Sequence, residues 1–115
     1  MNFNNIGYFQ FNNLLQSRVP LVLVVLDEID LKPWYNSLIH MHLENVSIFC
    51  DSTRAVELVN EKKLPPHFAI IILDMHGQNS PKVTEDLEKA GYLNVYYVKN
   101  GFIGISEERQ NSKNV

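Results

Sequence analysis

Along this chain, short wholly apolar segments alternate with longer ones in which apolar residues recur every three or four positions. "PLVLVVL" (Pro20 to Leu26), "VSIFC" (Val46 to Cys50), "AIIIL" (Ala69 to Leu73) and "NVYYV" (Asn94 to Val98) are rich in β-branched or aromatic residues and bounded by turn residues. This pattern predicts four strands. The first and third are continuously apolar, as expected of parallel strands covered on both faces. The segments between them read as helices. "FNNLLQS", near Phe11, is a short first helix, and "SLIHMH", after Trp34, is one turn or more of a second. "STRAVELVNEKK" sets Ala55, Val56 and Val59 on one face, with Asp51 or Ser52 as N-cap. "SPKVTEDLEKAG" carries the clearest signals: Ser80 as cap, Pro81 at the first helical position, Val83, Leu87 and Ala90 as an apolar stripe, and Gly91 as a left-handed C-cap.

Strands alternating with helices predict an α/β fold, with a mostly parallel central sheet and helices on both faces. Ligands of such sheets bind beyond the carboxyl ends of the strands. The loop Asp74, Met75, His76, Gly77, Gln78, Asn79, opening into Ser80, stands at that place.

Composition narrows the picture. At 115 residues, 45% hydrophobic and 20% charged, the chain is expected to be one globular domain over 1–105. The last ten residues, "SEERQNSKNV", contain one apolar residue and read as a polar, flexible tail over 106–115. A net charge of −3 gives no footprint for nucleic acid or an anionic membrane. The start, "MNFNNIGYFQFNN", lacks the pattern of a signal peptide, and "LVLVVL" and "AIIIL" fall far short of the ~20 apolar residues that span a bilayer. A lone cysteine, Cys50, gives no sign of an oxidising compartment. The expectation is a soluble cytoplasmic protein.

Four features carry candidate chemistry. Asp74 has the chemistry of a nucleophile or a metal ligand, but an acid at a strand end more often caps the following turn. His76 is a general base or contact residue on the functional reading and a solvated loop histidine on the plain one. Cys50 ends a strand, where a free cysteine is usually a small buried hydrophobe. His40 and His42 would face one way on a strand, yet no third metal ligand stands at a recognisable spacing. Tyr92, Tyr96 and Tyr97 straddle core and surface rather than forming a platform for bases.

"GYFQFNNLLQSRVPLVLVVLDE" and, more closely, "AIIILDMHGQNSPKVTEDLEKAGYLNVYYVKNGF" resemble the rhodanese-like domains: strand, six-residue active loop, helix, "AGY-NVY" strand and a glycine-containing turn. The resemblance implies a loop whose inward amides form an anion nest around a cysteine that carries a sulfane sulfur as a persulfide. Asp74 stands at that cysteine's position, and Gly77 and Ser80 fit the loop. The family's usual Gly-His-Ile-Pro-Gly segment, its loop arginines and its tryptophan after "NGF" are missing; Met75, Gln78 and Asn79 are neutral, and Ile105 stands near the tryptophan's place. A carboxylate cannot form a persulfide. The resemblance therefore implies a non-catalytic domain in which Asp74 fills the nest as a built-in substitute for the ligand. No catalytic residue, cofactor or metal is expected. Another protein is the expected partner, and Asp74 to Ser80 the contact surface.

Two alternatives remain. Weak thiosulfate or persulfide sulfurtransfer through Cys50 is one. The other comes from "VVLDEIDL", "CDSTRAVELV" and "IIILDMH", which also resemble response-regulator receiver domains; there Asp74 would accept a phosphoryl group, with Asp27 and Glu28 helping to bind magnesium. Leu26 replaces the first of the receiver's paired acids, and only about one strand follows the "EDLEKAG" helix.

Overall fold

Two runs of four apolar residues, Val22–Val25 (β2) and Ile70–Leu73 (β4), lie side by side at the middle of the sheet, all eight residues buried. Successive side chains on a strand point to opposite faces, so each run serves two cores. Leu23, Val25, Ile71 and Leu73 face one layer; Val22, Val24, Ile70 and Ile72 face the other. In the computed structural model of the chain, residues 4–113 are described. The order of elements is β1 (Asn5–Ile6), α1 (Tyr8–Gln16), β2, a 3-10 turn at Lys32–Trp34, α2 (Ser37–Val46), β3 (Ser47–Phe49), a 3-10 turn at Ser52–Arg54, α3 (Ala55–Glu61), β4, α4 (Ser80–Lys89), β5 (Val95–Val98) and α5 (Gly101–Lys113). The sheet has five strands in the order β1-β5-β4-β2-β3, every pair parallel. Phe11, Leu15, Ile39, Leu43 and Ile105 bring α1, α2 and α5 onto one face. Ala55, Val59, Val83 and Leu87 bring α3 and α4 onto the other.

The four expected strands are present, each trimmed by a residue or more to the stretch that makes ladder bonds. Strand β1 was not foreseen. Two residues are too few to show a period, and they are held by register, Asn5 against Tyr97 and Ile6 against Val98. Tyr96 packs toward the first core and Tyr97 toward the second, and the Tyr92 hydroxyl donates to the Asn60 side chain at 2.6 Å.

The expected flexible tail is corrected. Residues 106–113 continue α5, while residues 114 and 115 lie outside the described residues. Polar composition misleads here because, beyond the apolar anchor Ile105, this part of α5 docks through charged groups. The Glu108 carboxylate accepts from the Tyr8 backbone N–H at 3.2 Å, supplying an acid to the open first turn of α1. The Arg109 guanidinium lies 4.8 Å over the Trp34 ring, which also stacks with Phe102 at 5.2 Å and meets Tyr8 edge-on at 6.2 Å.

The N-cap expectations also change. Asp51 starts the 3-10 turn rather than α3 and makes no side-chain cap bond. Helix α4 is capped at Asn79, so Ser80 is its first helical residue. His40 and His42 lie in α2, not on a strand. Two residues apart on a helix they point to nearly opposite sides, and the His40 Nε2 sits 2.6 Å from the Lys32 carbonyl.

Candidate functional site

Beyond the end of β4 the backbone coils into a loop around a single side chain. Asp74 is 2% exposed, and the sequence places three amides around its carboxylate. Gly77 N–H donates to Oδ1 at 2.7 Å; Asn79 and Ser80 N–H donate to Oδ2 at 2.8 and 2.9 Å. The last two belong to the start of α4, where unpaired amides and the helix dipole favour a negative charge. Pro81, lacking an N–H, leaves one orphan donor fewer in that turn. Asp74 is thus the side-chain cap that Asn79 does not supply.

Two glycines make the coil possible. Gly77 has φ +80°, and a Cβ there would stand 2.8 Å from the Asn100 Cα. Gly101 has φ +66°, and a Cβ would stand 2.6 Å from the Asp74 carbonyl oxygen and 2.7 Å from the Gly77 nitrogen. The loop and the β5–α5 turn are therefore in backbone contact. The first amides of α5 complete it: Phe102 N–H donates to the Asp74 carbonyl at 2.7 Å and Ile103 N–H to the Met75 carbonyl at 3.0 Å. From the β2 side, Asp27 accepts from the Met75 N–H at 2.7 Å.

Of the loop residues singled out from sequence, Met75 and Gly77 are half-buried and Ser80 is buried, its hydroxyl without a partner among the described residues. His76, Gln78 and Asn79 are exposed. Together with Asp27, Glu28 and Asp74 they line a depression of about 350 Å³. Sequence reasoning missed the part played by Asn100, Gly101 and Phe102. A glycine after an asparagine following a strand was the available signal, and it indicates a turn without saying what the turn touches.

The chemistry of this arrangement is constrained. Both Asp74 oxygens are engaged by backbone donors and shielded from solvent, so the carboxylate is poorly placed to attack anything. The mouth of the depression carries Asp27 and Glu28, which repel anions. No group of three or more His, Cys, Asp or Glu side chains among the described residues could hold a metal ion. Cys50 lies outside the loop, following the edge strand β3, half-buried, with its amide on the Val25 carbonyl at 3.1 Å. Burial, then the neighbouring Asp51 carboxylate, pushes its thiol pKa up against a smaller opposing effect of Arg54. That is the reverse of what a reactive thiolate needs.

Topology bears on the receiver resemblance. The flavodoxin-like order 2-1-3-4-5 places the last strand at the sheet edge beyond the fourth. Here the N-terminal β1 takes the place beyond β5, and among the described residues the chain closes with a helix. Thiosulfate sulfurtransferase from Pseudomonas aeruginosa superposes with a TM-score of 0.67 at 16% identity over 92% of the chain. The fold is rhodanese-like. The chain spans only 19% of that enzyme's length. A Rhodanese_3-like domain from Anabaena sp. matches at a TM-score of 0.52 and 11% identity, covering 76% of this chain and 92% of its own. An uncharacterized protein from Saccharomyces cerevisiae matches at 0.63 and 14% identity, covering 97% of this chain and 98% of its own. No family model matches the chain, and no curated protein matches it in sequence. At these identities the rhodanese-like likeness is one of fold alone. No helix among the described residues is long and apolar enough to cross a membrane.

Proposed function

We propose that this chain is a rhodanese-like domain in which Asp74 occupies the position of the sulfur-carrying cysteine, leaving a non-catalytic protein-binding or regulatory module. The observation that carries the reading is the set of three amides on the Asp74 carboxylate. A loop of this shape concentrates inward N–H groups that would stabilise a bound anion or persulfide. In this chain an internal carboxylate satisfies them permanently. A carboxylate has no sulfur to carry, and its charge opposes entry of thiosulfate. The exposed residues of the loop, His76, Gln78 and Asn79, present the surface for a protein partner.

Purified protein given thiosulfate and cyanide should form no thiocyanate above background. Asp74→Cys tests the nest itself. If the amides keep their positions, the new thiol should take up a trace of sulfane sulfur, seen as a mass gain of one sulfur atom. Thiocyanate production by the unaltered chain, abolished by Cys50→Ser, would overturn the reading and make Cys50 the working nucleophile. A stable phosphoryl adduct on Asp74 after treatment with acetyl phosphate and magnesium would overturn it in favour of a receiver.

A further inference from the structure

We propose a second binding surface: the open edge of β3 takes up an extended peptide as a sixth strand, anchored by an apolar side chain and flanked by basic residues. Among the described residues strand β3 pairs only with β2, so one side of its backbone is unpaired within the sheet. Cys50 N–H bonds to the Val25 carbonyl, and backbone polar groups alternate in direction along a strand. Phe49 therefore turns its N–H and carbonyl outward. Its ring is 63% exposed on the same edge. Edges of this kind are usually blocked by a charge, a proline or a covering segment. Strand β3 is short, three residues, but "SIF" carries neither a charge nor a proline.

Beside the edge lies a pocket of about 260 Å³ between β2, β3 and α2. Its floor is Leu23, Val25, Ile29 and Leu43, all buried core residues, with Phe49 at the rim. For scale, a cavity of about 150 Å³ lined by such side chains holds a benzene ring. Added strands are recognised in this manner: main-chain bonds along the edge and a pocket for an alternate side chain.

Charge selects among occupants. Asp30 and Glu44 stand on the pocket wall, and Asp51 follows Phe49 at the far end of the edge, beside Asp27 and Glu28. Lys32 stands on the same pocket wall and Arg54 at the far end, engaged by Glu44 at 2.8 Å and Glu57 at 3.4 Å. The rim is thus negative in excess. A second copy pairing through the same edge would set two acidic rims against each other, whereas a peptide with Lys or Arg beside its apolar residue complements the rim.

The test uses a displayed library of random linear peptides selected against the full chain, followed by fluorescence anisotropy with the enriched peptides in synthetic form. Enrichment of peptides alternating apolar residues with Lys or Arg is expected. Their affinity should fall at least tenfold on methylation of alternate backbone nitrogens, and again in Phe49→Lys, a substitution at an exposed site that leaves the circular dichroism unchanged. Phe9→Lys, an exposed site on α1, should leave binding as it was. The proposal is overturned if no peptide is enriched, if the enriched peptides are acidic, or if Phe49→Lys and backbone methylation leave affinity intact. It is also overturned if sedimentation shows a dimer that Phe49→Lys dissolves, which would give the edge to a second copy. None of these outcomes depends on the Asp74 loop, so the two readings can fail separately.

Discussion

Replacing Asp74 with alanine removes the acceptor for three amides at once. Hydrogen bonds to a charged group contribute about 1.5–3 kcal/mol each, and a buried donor left unpaired costs about 1–3 kcal/mol. The three contributions will not add fully, because they share two oxygens and because water can enter from the adjoining depression. A loss of about 3 kcal/mol is expected, a large share of the ~5–15 kcal/mol typical of a domain. Urea unfolding followed by fluorescence of the single tryptophan, Trp34, measures it. With a slope of about 1.5 kcal/mol per molar urea, the midpoint should drop by about 2 M. Asp74→Asn should fall between: one amide oxygen can still serve Asn79 and Ser80, but its NH2 would face the Gly77 donor. The emptied nest should then accept sulfate. At a hundredfold excess over its dissociation constant, sulfate would return about 2.7 kcal/mol to Asp74→Ala and far less to the unaltered chain. An Asp74→Ala midpoint within about 0.3 M of the parent, with no sulfate response, would refute the claim that this carboxylate fills an anion nest.

Gly101→Ala should destabilise by several kcal/mol or prevent folding, since the added Cβ meets the Asp74 carbonyl at 2.6 Å on a backbone of φ +66°; a melting temperature lowered by less than about 4 °C would contradict this. Ending the chain after Ile105 should lower the melting temperature measurably, because Glu108 and Arg109 no longer reach Tyr8 and Trp34, whereas a truly flexible tail would be removed without effect. Alkylation of Cys50 by iodoacetamide should be slow near pH 7, with its half-maximal rate at a pH above that of a free cysteine, since burial and Asp51 disfavour the thiolate; rapid alkylation at neutral pH would mean the thiol is activated. Tyr35 gives a stability test. Burial, with a smaller effect of Tyr8, holds its phenol neutral far above the ordinary range. The folded pKa is raised, so this stability is present below the unfolded value of ~10 and is lost as pH rises beyond it. Tyr35→Phe should therefore reduce the alkaline loss of stability.

The sequence was informative where one residue pattern decides one structural outcome. The β-branched apolar runs at Val22–Val25 and Ile70–Leu73, bounded by turn residues, read as strands covered on both sides, and they are. Pro81 and Gly91 bracket α4 as their backbone preferences require. The loop at Asp74 was found from its position after a strand and before a helix. Its closure was not legible, because it depends on contacts between segments far apart in the chain: Asp27 with Met75, and Gly101 with Asp74 and Gly77. The same limit hid β1, which exists only by pairing with β5. It hid the docking of α5 as well, since Glu108 and Arg109 read as solvent-facing until Tyr8 and Trp34 are placed beside them.

The position of β5 has a consequence for how the chain is made. It lies between β1 and β4, so β1, made well before it, has no neighbour within the described sheet until residues 95–98 have left the ribosome. The Asp74 loop waits longer still, because Phe102 and Ile103 supply its closing amides. During translation the N-terminal strand stays unpaired while β2, β3 and β4 can already assemble, and the loop takes its shape only as α5 emerges. A chain ended at Val98 and freed from the ribosome should therefore hold a partly built sheet and an open nest, more readily cut by protease at the Asp74 loop than the full chain.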